Sequence, residues 1–392
     1  MFGHNKIRKF PEAIYALPDH EVADALLPWA KQRHLGLDEA VTRIRANRGL
    51  IPVAIDPSGD GSIIWADLGR HSFREWQFVY TVRRLVETGE IGECFTSGMD
   101  VLDSPGLFDD SLVPSGLIFH ISRCGSTLTA KALSRPHGHM MVSQGGPLQY
   151  GFWSHISQDW RRPVPADTDV LRRLRALVLA LCRRRVGNET HAFVKFISWN
   201  VLYIDLICAA IPEAACLFLY RNPVEVVASV KRGTTAALQA RGTRRASFLS
   251  GLSMDTLPQV SDGAYLSACY ARYLEAALAT RANIAYVNYR DLNAQSFLRV
   301  VSEGLGLRVS ATDEAAMQEQ FRYHAKDDRS DRRFFNDSVE KQASVSLRER
   351  LLITKHCADP LDRLDRSDRN LFARGGPAYA KHALETVARS CP

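Results

Sequence analysis

The side chains best suited to chemistry in this sequence lie in a short polar break, Ser122-Arg-Cys-Gly-Ser-Thr127, between an apolar run and a helix-like segment. Strand, tight turn and helix is the arrangement that points backbone N–H groups at an anion. Gly125 lets the backbone approach a phosphate closely, and Arg123 offers a charged fork for its oxygens. The hydroxyls of Ser126 and Thr127 add further donors. The break therefore predicts an anion site, with an ordinary capped turn as the alternative.

A second pattern of the same kind follows the apolar run at residues 215–220. Arg221 precedes Asn222 and Pro223, which suit the N-cap and the first position of a helix, and Ser229 lies two turns further on. In a parallel sheet the carboxyl ends of the strands meet at one edge, where ligands bind. Two anion sites at that edge fit a ligand with two separated phosphate groups.

The elements that must position these residues alternate from Pro114 onward between strand-like and helix-like segments. This alternation predicts βαβ units and a parallel sheet, an α/β fold. Strands are predicted at residues 116–121, 192–197, 215–220 and 284–289, and helices at 128–134, 169–185, 200–211, 223–233, 263–282 and 291–305. Residues 234–260 show little periodicity and are predicted to form a long loop or lid. The rest of the chain is predicted to be helical apart from a loop around residues 327–337.

Residues 1–110 are predicted to form a small N-terminal α+β accessory domain, with residues 111–392 as the larger domain. Helices are predicted at residues 19–32, 37–46 and 72–87, the last with Ser72 as its N-cap. A turn at residues 56–61 predicts a hairpin between strands at 51–55 and 62–66. The polar, turn-rich stretch at 99–111 is the predicted linker.

Composition restricts the classes of function. The net charge of +7 over 392 residues suits an anionic small ligand, but it is too modest and dispersed to indicate nucleic acid. Arginine clusters at 161–162, 172–173, 183–185 and 244–245 are expected on solvated helix faces and a loop. The apolar runs are too short to cross a bilayer, the start resembles no secretory signal, and the eight cysteines contain no C-x-x-C pair. We therefore expect a cytoplasmic protein with reduced thiols, no membrane partner and no zinc site.

In combination the two motifs resemble the sulfotransferases that use 3′-phosphoadenosine 5′-phosphosulfate (PAPS). Ser122-Arg-Cys-Gly-Ser-Thr-Leu128 is similar to the 5′-phosphosulfate loop of that family, and Tyr220-Arg-Asn-Pro-Val-Glu-Val-Val-Ala-Ser229 to its 3′-phosphate motif. Phe119-His-Ile-Ser-Arg-Cys-Gly-Ser-Thr127 and Lys195-Phe-Ile-Ser-Trp-Asn200 resemble a group of bacterial sulfotransferase-like proteins more closely. The resemblance spans roughly residues 73–356, and it implies a P-loop-like sulfotransferase fold.

The resemblance also implies roles for individual residues. The 5′-phosphosulfate would be held by Arg123, Cys124, Gly125, Ser126 and Thr127. The 3′-phosphate would be held by Arg221 and Ser229. Lys195 matches a strand lysine near the transferring sulfuryl group, and Lys341 could reach the phosphates together with Arg332 and Arg333 from the loop at 326–341. PAPS is the implied cosubstrate, with a small-molecule acceptor, no metal and a possible homodimer.

The two positions at which members of this family carry their general base hold other residues in this chain. Sulfuryl transfer needs a group that takes the proton of the acceptor. Cytosolic members use a histidine two residues after the strand lysine, where this chain has Ile197, and other members use a glutamate where it has Gln144. Gln144 can orient a substrate by hydrogen bonds but cannot accept a proton near neutral pH. Three explanations stay open. The acceptor is an amine, a thiolate or an acid that needs no strong base; or another residue serves, with His120, His137, His139 and His155 as candidates; or the chemistry has changed or been lost.

The sequence thus predicts a PAPS-dependent sulfotransferase in which Lys195 and Arg123 stabilise the developing charge and Gln144 occupies the base position. Residues 234–260 and the N-terminal domain are expected to shape the acceptor pocket. One alternative is a nucleotide-dependent phosphotransferase on the same fold, which would need ATP, Mg²⁺ and a Walker lysine that does not precede Ser126. The other is a non-catalytic protein that binds a nucleotide or a partner, which Gln144 makes credible.

Overall fold

The structure, a computed structural model, describes residues 30, 32–57, 61–73, 75–231, 235–323, 325 and 344–373. Two compact units are present, one made of Met1–Pro114 with His137–Val194 and the other of Ser115–Pro136 with Lys195–Pro392. The predicted helix at 19–32 lies almost entirely outside the described residues. The predicted loop at 326–341, with Arg332, Arg333 and Lys341, lies outside them completely.

Strands and helices alternate along most of the described chain. The strands are β1 Leu50–Ile55, β2 Ile63–Asp67, β3 Cys94–Ser97, β4 Gly116–His120, β5 His139–Ser143, β6 His191–Lys195, β7 Ala215–Tyr220 and β8 Ile284–Asn288. The α-helices are α1 Leu37–Ala46, α2 Phe78–Glu87, α3 Ser126–Leu133, α4 Gly146–Gln149, α5 Gly151–Ser157, α6 Thr168–Leu181, α7 Ile204–Ala210, α8 Pro223–Lys231, α9 Ala236–Gln239, α10 Arg244–Ser250, α11 Asp262–Ala279, α12 Ala294–Arg299, α13 Ala311–Glu319 and α14 Leu347–Arg366. Among these described helices, none has the length and apolar character needed to cross a membrane.

The first unit contains an antiparallel sheet of β1, β2 and β3 in that order. The predicted pairing of the two hairpin strands is confirmed, since β1 pairs antiparallel with β2. The sequence missed β3, a strand of four residues that is too short to show an alternating pattern. Its last residue is tied to β2, because Trp65 Nε1 donates to Ser97 Oγ at 2.9 Å.

The first unit also includes residues 137–194, so the two units differ from the linear division predicted at residue 110. The reason is close packing of α4, α5 and α6 on β1. A Cβ on Gly146 would lie 2.2 Å from the Val53 carbonyl oxygen, and one on Gly151 would lie 2.3 Å from that of Ile55. Only glycine allows the two backbones to approach this closely.

The second unit contains the parallel strands β4, β7 and β8, with β7 in the middle. All residues of β4 and β8 are buried, as the predicted runs of apolar residues require. Helix α3 follows β4, and α8 follows β7. The predicted α/β fold with a parallel sheet is therefore confirmed. The carboxyl ends of β4 and β7 remain in register, since Ile121 N donates to the Leu219 carbonyl oxygen at 3.3 Å.

Most helices differ from their predicted bounds by a few residues, and two of them show the local reason. The helix predicted from Ser72 begins at Phe78, with Gln77 in the N-cap position, so Ser72 does not cap it. The Trp76 carbonyl oxygen just before this start accepts a hydrogen bond from Ser143 Oγ at 2.8 Å. The helix predicted at 291–305 begins at Ala294, where Asn293 forms a capping box, and continues after Arg299 as a π-helical turn, Val300–Gly304.

The prediction of a loop or lid at residues 234–260 is wrong. This segment contains α9, α10 and a 3-10 turn at Leu257–Gln259. Thr235 caps α9 by accepting from Ala237 N, and the Tyr265 hydroxyl donates to the Ala237 carbonyl oxygen at 2.9 Å. Buried Ala237, Ala246 and Leu249 pack the segment into the unit. Its helices are only four and seven residues long, so the sequence shows little helical periodicity.

The expectation that the arginine clusters are solvated is also wrong in part. Arg183 is only 1% exposed, and its Nη1 donates to the carbonyl oxygens of Asn47 at 2.9 Å and Leu50 at 3.2 Å. Burial lowers the pKa of this guanidinium, while Asp110 raises it in part. Arg185 and Arg245 are buried as well. Arg183 and Arg185 fasten loops within the first unit, since Arg185 Nη1 donates to the His71 carbonyl oxygen at 2.7 Å.

Candidate anion-binding site

The turn between β4 and α3, residues 122–125, has an unusual backbone. The φ angles of Ser122, Arg123 and Gly125 are 83°, 50° and 83°, all in the left-handed region. For a residue with a Cβ, this region costs roughly 1–2 kcal/mol. Ser122 and Arg123 are two such residues in succession, directly before the N-terminus of α3. Strain of this kind persists where the surroundings fix it, and it is most frequent at ligand sites.

Both its neighbours and its left-handed conformation require a glycine at position 125. A Cβ at this position would lie 2.7 Å from Tyr289 Cδ2 and 3.2 Å from Leu292 Cδ2.

We expect Gly125→Ala to lower the free energy of unfolding by about 2–4 kcal/mol, measured by urea denaturation. Gly306 is a matched control, because its φ is 65° and nothing lies within 4 Å of its Cβ position. Equal losses in Gly125→Ala and Gly306→Ala would show that the Tyr289 ring has no part in the effect.

The two predicted anion motifs are joined directly through side chains. Arg123 Nε donates to Ser229 Oγ at 3.0 Å, and Arg123 Nη2 donates to the Ser229 carbonyl oxygen at 3.2 Å. In return, Arg221 Nη1 lies 3.5 Å from the Arg123 carbonyl oxygen. The structure therefore brings Arg123, Arg221 and Ser229 together, although the motifs lie about a hundred residues apart along the chain.

Arg221 is held in one orientation by two residues that sequence reasoning did not assign to the site. Its Nε and Nη2 both donate to Glu225 Oε2 at 2.5 Å, and both side chains are buried. Its guanidinium carbon lies 4.2 Å from the centroid of the Tyr289 ring, a cation–π contact. The i, i+4 spacing of Arg221 and Glu225 is a signal that could have predicted the pair. No sequence signal predicted the contact with Tyr289, which lies 68 residues further along the chain.

The start of α8 confirms the local sequence prediction. Val224 N donates to Asn222 Oδ1 at 3.0 Å, and Pro223 is the first residue of the helix. Asn222 therefore caps α8 as predicted, and this cap sets the direction in which the chain leaves β7 after Arg221. Ser229 faces Arg123 two turns later on the same helix.

Lys195 and Cys124 are buried beside the same turn. Lys195 is the last residue of β6 and only 1% exposed. Burial raises the pKa of the Cys124 thiol to about 11, while the charges of Lys195 and Arg221 offset part of this effect. Cys124 Sγ donates to the Leu219 carbonyl oxygen at 3.2 Å, so only its backbone could contact an anion. Ser126 is buried and Thr127 half-buried at the start of α3.

His120, one of the candidate bases, has a hydrogen-bond partner at each ring nitrogen. It is 4% exposed; Ser122 N donates to its Nδ1 at 2.9 Å, and its Nε2 lies 3.0 Å from the Phe196 carbonyl oxygen. A ring with both nitrogens engaged cannot take a proton from an acceptor without breaking a buried hydrogen bond. His120 is therefore unsuited to the role of base.

The remaining candidates for the base lie in the first unit. Gln144 follows β5 with a φ of 57°, and its carbonyl oxygen accepts from Gln149 Nε2 at 2.5 Å. His139 is buried, with its ring centroid 5.0 Å from that of His191. His155 packs against Gly61, and His137 is exposed. The assignment of Gln144 to catalysis stays a prediction, as does a role for these histidines.

A cavity of about 710 Å³ opens beside Tyr289 in the second unit. Leu128 of α3 and Leu292 form one part of its wall, and Phe321 and Arg322 form another. Tyr289 thus lines this cavity and also lies against Gly125 of the strained turn. Its lining is part aromatic and part polar, which suits an organic group of nucleoside size.

Comparison with known proteins gives structural neighbours only. No family model and no curated protein matches the chain. Among solved structures, it is similar to sulfotransferase STF9 from Mycobacterium avium, with 13% identity, a TM-score of 0.40, and coverage of 67% of this chain and 79% of that one. It is also similar to the sulfotransferase domain of the Synechococcus PCC 7002 olefin synthase, with 15% identity, a TM-score of 0.37, and coverage of 64% and 96%. A sulfotransferase from Alicyclobacillus acidocaldarius has 16% identity, a TM-score of 0.36, and coverage of 64% and 94%.

Proposed function

We propose that the chain is a sulfotransferase that binds PAPS in its second unit and transfers the sulfuryl group to a small-molecule acceptor. The observation that carries the proposal is the direct bonding of Arg123 to Ser229, which joins the β4–α3 turn to α8. A ligand with two separated anionic groups can contact both elements at once. The sequence resemblance of the two motifs to PAPS-binding motifs supports the choice of PAPS.

The charges at the site suit this ligand. Arg221 lies beside the Arg123 backbone, and both Lys195 and Arg221 act electrostatically on Cys124 of the same turn. Glu225 neutralises Arg221 in part. Buried or half-buried cations act on an anion far more strongly than exposed ones, because little water screens them. We assign Arg221 and Ser229 to the 3′-phosphate, and the β4–α3 turn to the phosphosulfate. Lys195 is assigned to the oxygen that gains charge as the sulfur–oxygen bond to phosphate breaks.

The cavity beside Tyr289 is the proposed place for the nucleoside. Tyr289 and Phe321 line it, and a flat purine base stacks well on aromatic rings. Its position next to Gly125 allows a base in the cavity and a phosphate at the turn to belong to one nucleotide. The acceptor side of the reaction, including Gln144, stays outside this assignment.

The proposal is tested by calorimetry with 3′-phosphoadenosine 5′-phosphate, the product nucleotide, in buffer that contains EDTA, and with ATP in buffer that contains either EDTA or Mg²⁺. We expect tight, saturable binding without Mg²⁺, and weaker binding of ATP whether or not Mg²⁺ is present. Tight binding of ATP with Mg²⁺, and none of the product nucleotide, would instead establish the phosphotransferase alternative. A screen of small-molecule acceptors with labelled PAPS then identifies the class of substrate.

A second candidate function is a nucleotide-binding protein without catalysis. It is favoured by two observations, glutamine at position 144 and the engagement of both ring nitrogens of His120. The same calorimetry gives equal results for both candidates, so the acceptor screen decides between them. Binding of the product nucleotide without transfer to hydroxyl, amine, thiol or carboxylate acceptors would favour the second candidate.

A further inference from the structure

His120 connects two parts of the proposed site that are far apart in sequence. It is the last residue of β4, directly before the chain enters the β4–α3 turn. One ring nitrogen is bonded to the amide of Ser122 in that turn, and the other to the carbonyl oxygen of Phe196, the residue after Lys195. The imidazole thus bridges the turn that carries Arg123 and the strand end that carries Lys195.

The two bonds together define the tautomer of the ring. A backbone amide can only donate, so Nδ1 must accept from Ser122 N and carries no proton. The proton of the neutral ring is then on Nε2, where it is donated to the Phe196 carbonyl oxygen at 3.0 Å. The donor Ser122 N and the acceptor Phe196 O are therefore both satisfied by the neutral tautomer that carries its proton on Nε2.

The bond to Ser122 also explains how the strained backbone is maintained. With a φ of 83°, Ser122 turns its N–H towards His120, so this amide is satisfied inside the protein. The following residue, Arg123, keeps a φ of 50° and directs its side chain to Ser229. Strained residues persist only where their surroundings overdetermine them, and the imidazole acceptor supplies such a constraint.

The partner on the other side is itself firmly placed. Phe196 N donates to the Ile118 carbonyl oxygen at 3.0 Å, and the Phe196 ring stacks on that of Phe119 with centroids 4.9 Å apart. The hydrogen bond from His120 to Phe196 therefore links the β4–α3 turn to a firmly packed residue next to Lys195.

We propose that His120 is a positioning residue that holds the anion-binding turn and Lys195 in a fixed relation through its two ring nitrogens. This inference rests on the proposed function for the meaning of that relation, but the two hydrogen bonds can be tested without it. His120 touches neither nucleotide nor acceptor in this assignment. Its effect is transmitted through Ser122 on one side and Phe196 on the other.

The test separates the two bonds with conservative variants. Asparagine places an amide oxygen near the position of Nδ1, so His120→Asn keeps an acceptor for Ser122 and loses the bond to Phe196. Glutamine places an amide nitrogen near the position of Nε2, so His120→Gln keeps a donor for Phe196 and loses the bond to Ser122. Loss of one hydrogen bond corresponds to about a tenfold change in an equilibrium or rate constant.

We expect His120→Gln to weaken binding of the product nucleotide about tenfold, because the turn is released. His120→Asn should bind the nucleotide almost as the wild type does, yet transfer the sulfuryl group about tenfold more slowly, because Lys195 is displaced. His356→Asn, at an exposed histidine of α14, is the control and should change neither quantity. A merely structural role would lower thermal stability in both variants without this division between affinity and rate.

Nitrogen NMR of the wild-type imidazole, with hydrogen exchange at the Ser122 amide, makes the test independent of the proposed function. We expect an unprotonated, hydrogen-bonded Nδ1 and a protected Ser122 amide. A proton on Nδ1, or equal effects of the two variants on binding and transfer, would overturn the inference. If the wild type fails to bind the product nucleotide, the proposed function is lost while the two His120 bonds are still decided by NMR.

Discussion

Replacement of Arg221 by methionine is expected to weaken binding of 3′-phosphoadenosine 5′-phosphate by about 10²–10³-fold. Arg221 is 4% exposed, and Glu225 and Tyr289 hold its guanidinium in one orientation. Methionine has a similar length but no charge and no donor. It therefore removes the charge-assisted hydrogen bonds that we assign to the 3′-phosphate. Isothermal calorimetry at constant ionic strength measures the loss.

This variant needs a matched partner, because it also removes the Arg221 cation from the buried Glu225 carboxylate. Loss of one member of a buried ion pair lowers the free energy of unfolding by roughly 3–5 kcal/mol. Replacing both residues, as Arg221→Met with Glu225→Leu, removes the pair, and an apolar replacement of a buried ion pair is often neutral for stability. We expect the double variant to regain its melting temperature but not its nucleotide affinity. Recovery of binding in the double variant would show that Arg221 only neutralises Glu225.

Lys195→Met is expected to lower the rate of sulfuryl transfer by about 10²–10³-fold while nucleotide affinity falls much less. Lys195 is 1% exposed at the end of β6, so its ammonium acts where water does not screen it. In the proposed reaction this charge matters most when the phosphate oxygen gains negative charge, which happens in the transition state. Single-turnover transfer from labelled PAPS, with calorimetry on the same preparation, measures the two effects separately.

Lys355→Met is the control for this prediction, because Lys355 is exposed on α14 and carries the same charge. It should leave both the rate and the affinity unchanged. A loss of nucleotide affinity in Lys195→Met as large as the loss of rate would assign the lysine to ground-state binding instead. An unaffected transfer rate would contradict the role given to Lys195.

Local sequence signals predicted the framework of the site well. Asn222 and Pro223 mark the start of α8 because capping depends on residues one to three positions apart. The apolar runs before Ser122 and Arg221 predicted β4 and β7 with nearly the observed bounds. The helix predicted at 37–46 is also found with those bounds. In all these cases the information lies within a few neighbouring residues.

The contacts that organise the site could not be predicted in this way, because they join distant segments. Ser229 is bonded to a residue 106 positions away, and His120 to one 76 positions away. Tyr289 packs on Gly125 and Arg221, yet its own surroundings in the sequence contain no motif. Only the pairing of β4, β7 and β8 brings these residues to one edge. The helices between residues 235 and 260 were missed for a different reason, since each is too short to show a period.

The buried sulfur of Cys124 has a consequence for how this protein withstands reactive chemicals. Burial raises the pKa of this thiol to about 11, so the thiol stays protonated at neutral pH. Alkylating agents and peroxides attack the thiolate, and they must also reach it. Cys124 is both protonated and fully buried in the β4–α3 turn, so it meets neither condition for such attack. The thiol therefore contributes packing and a hydrogen bond to Leu219 without adding a reactive nucleophile to the turn.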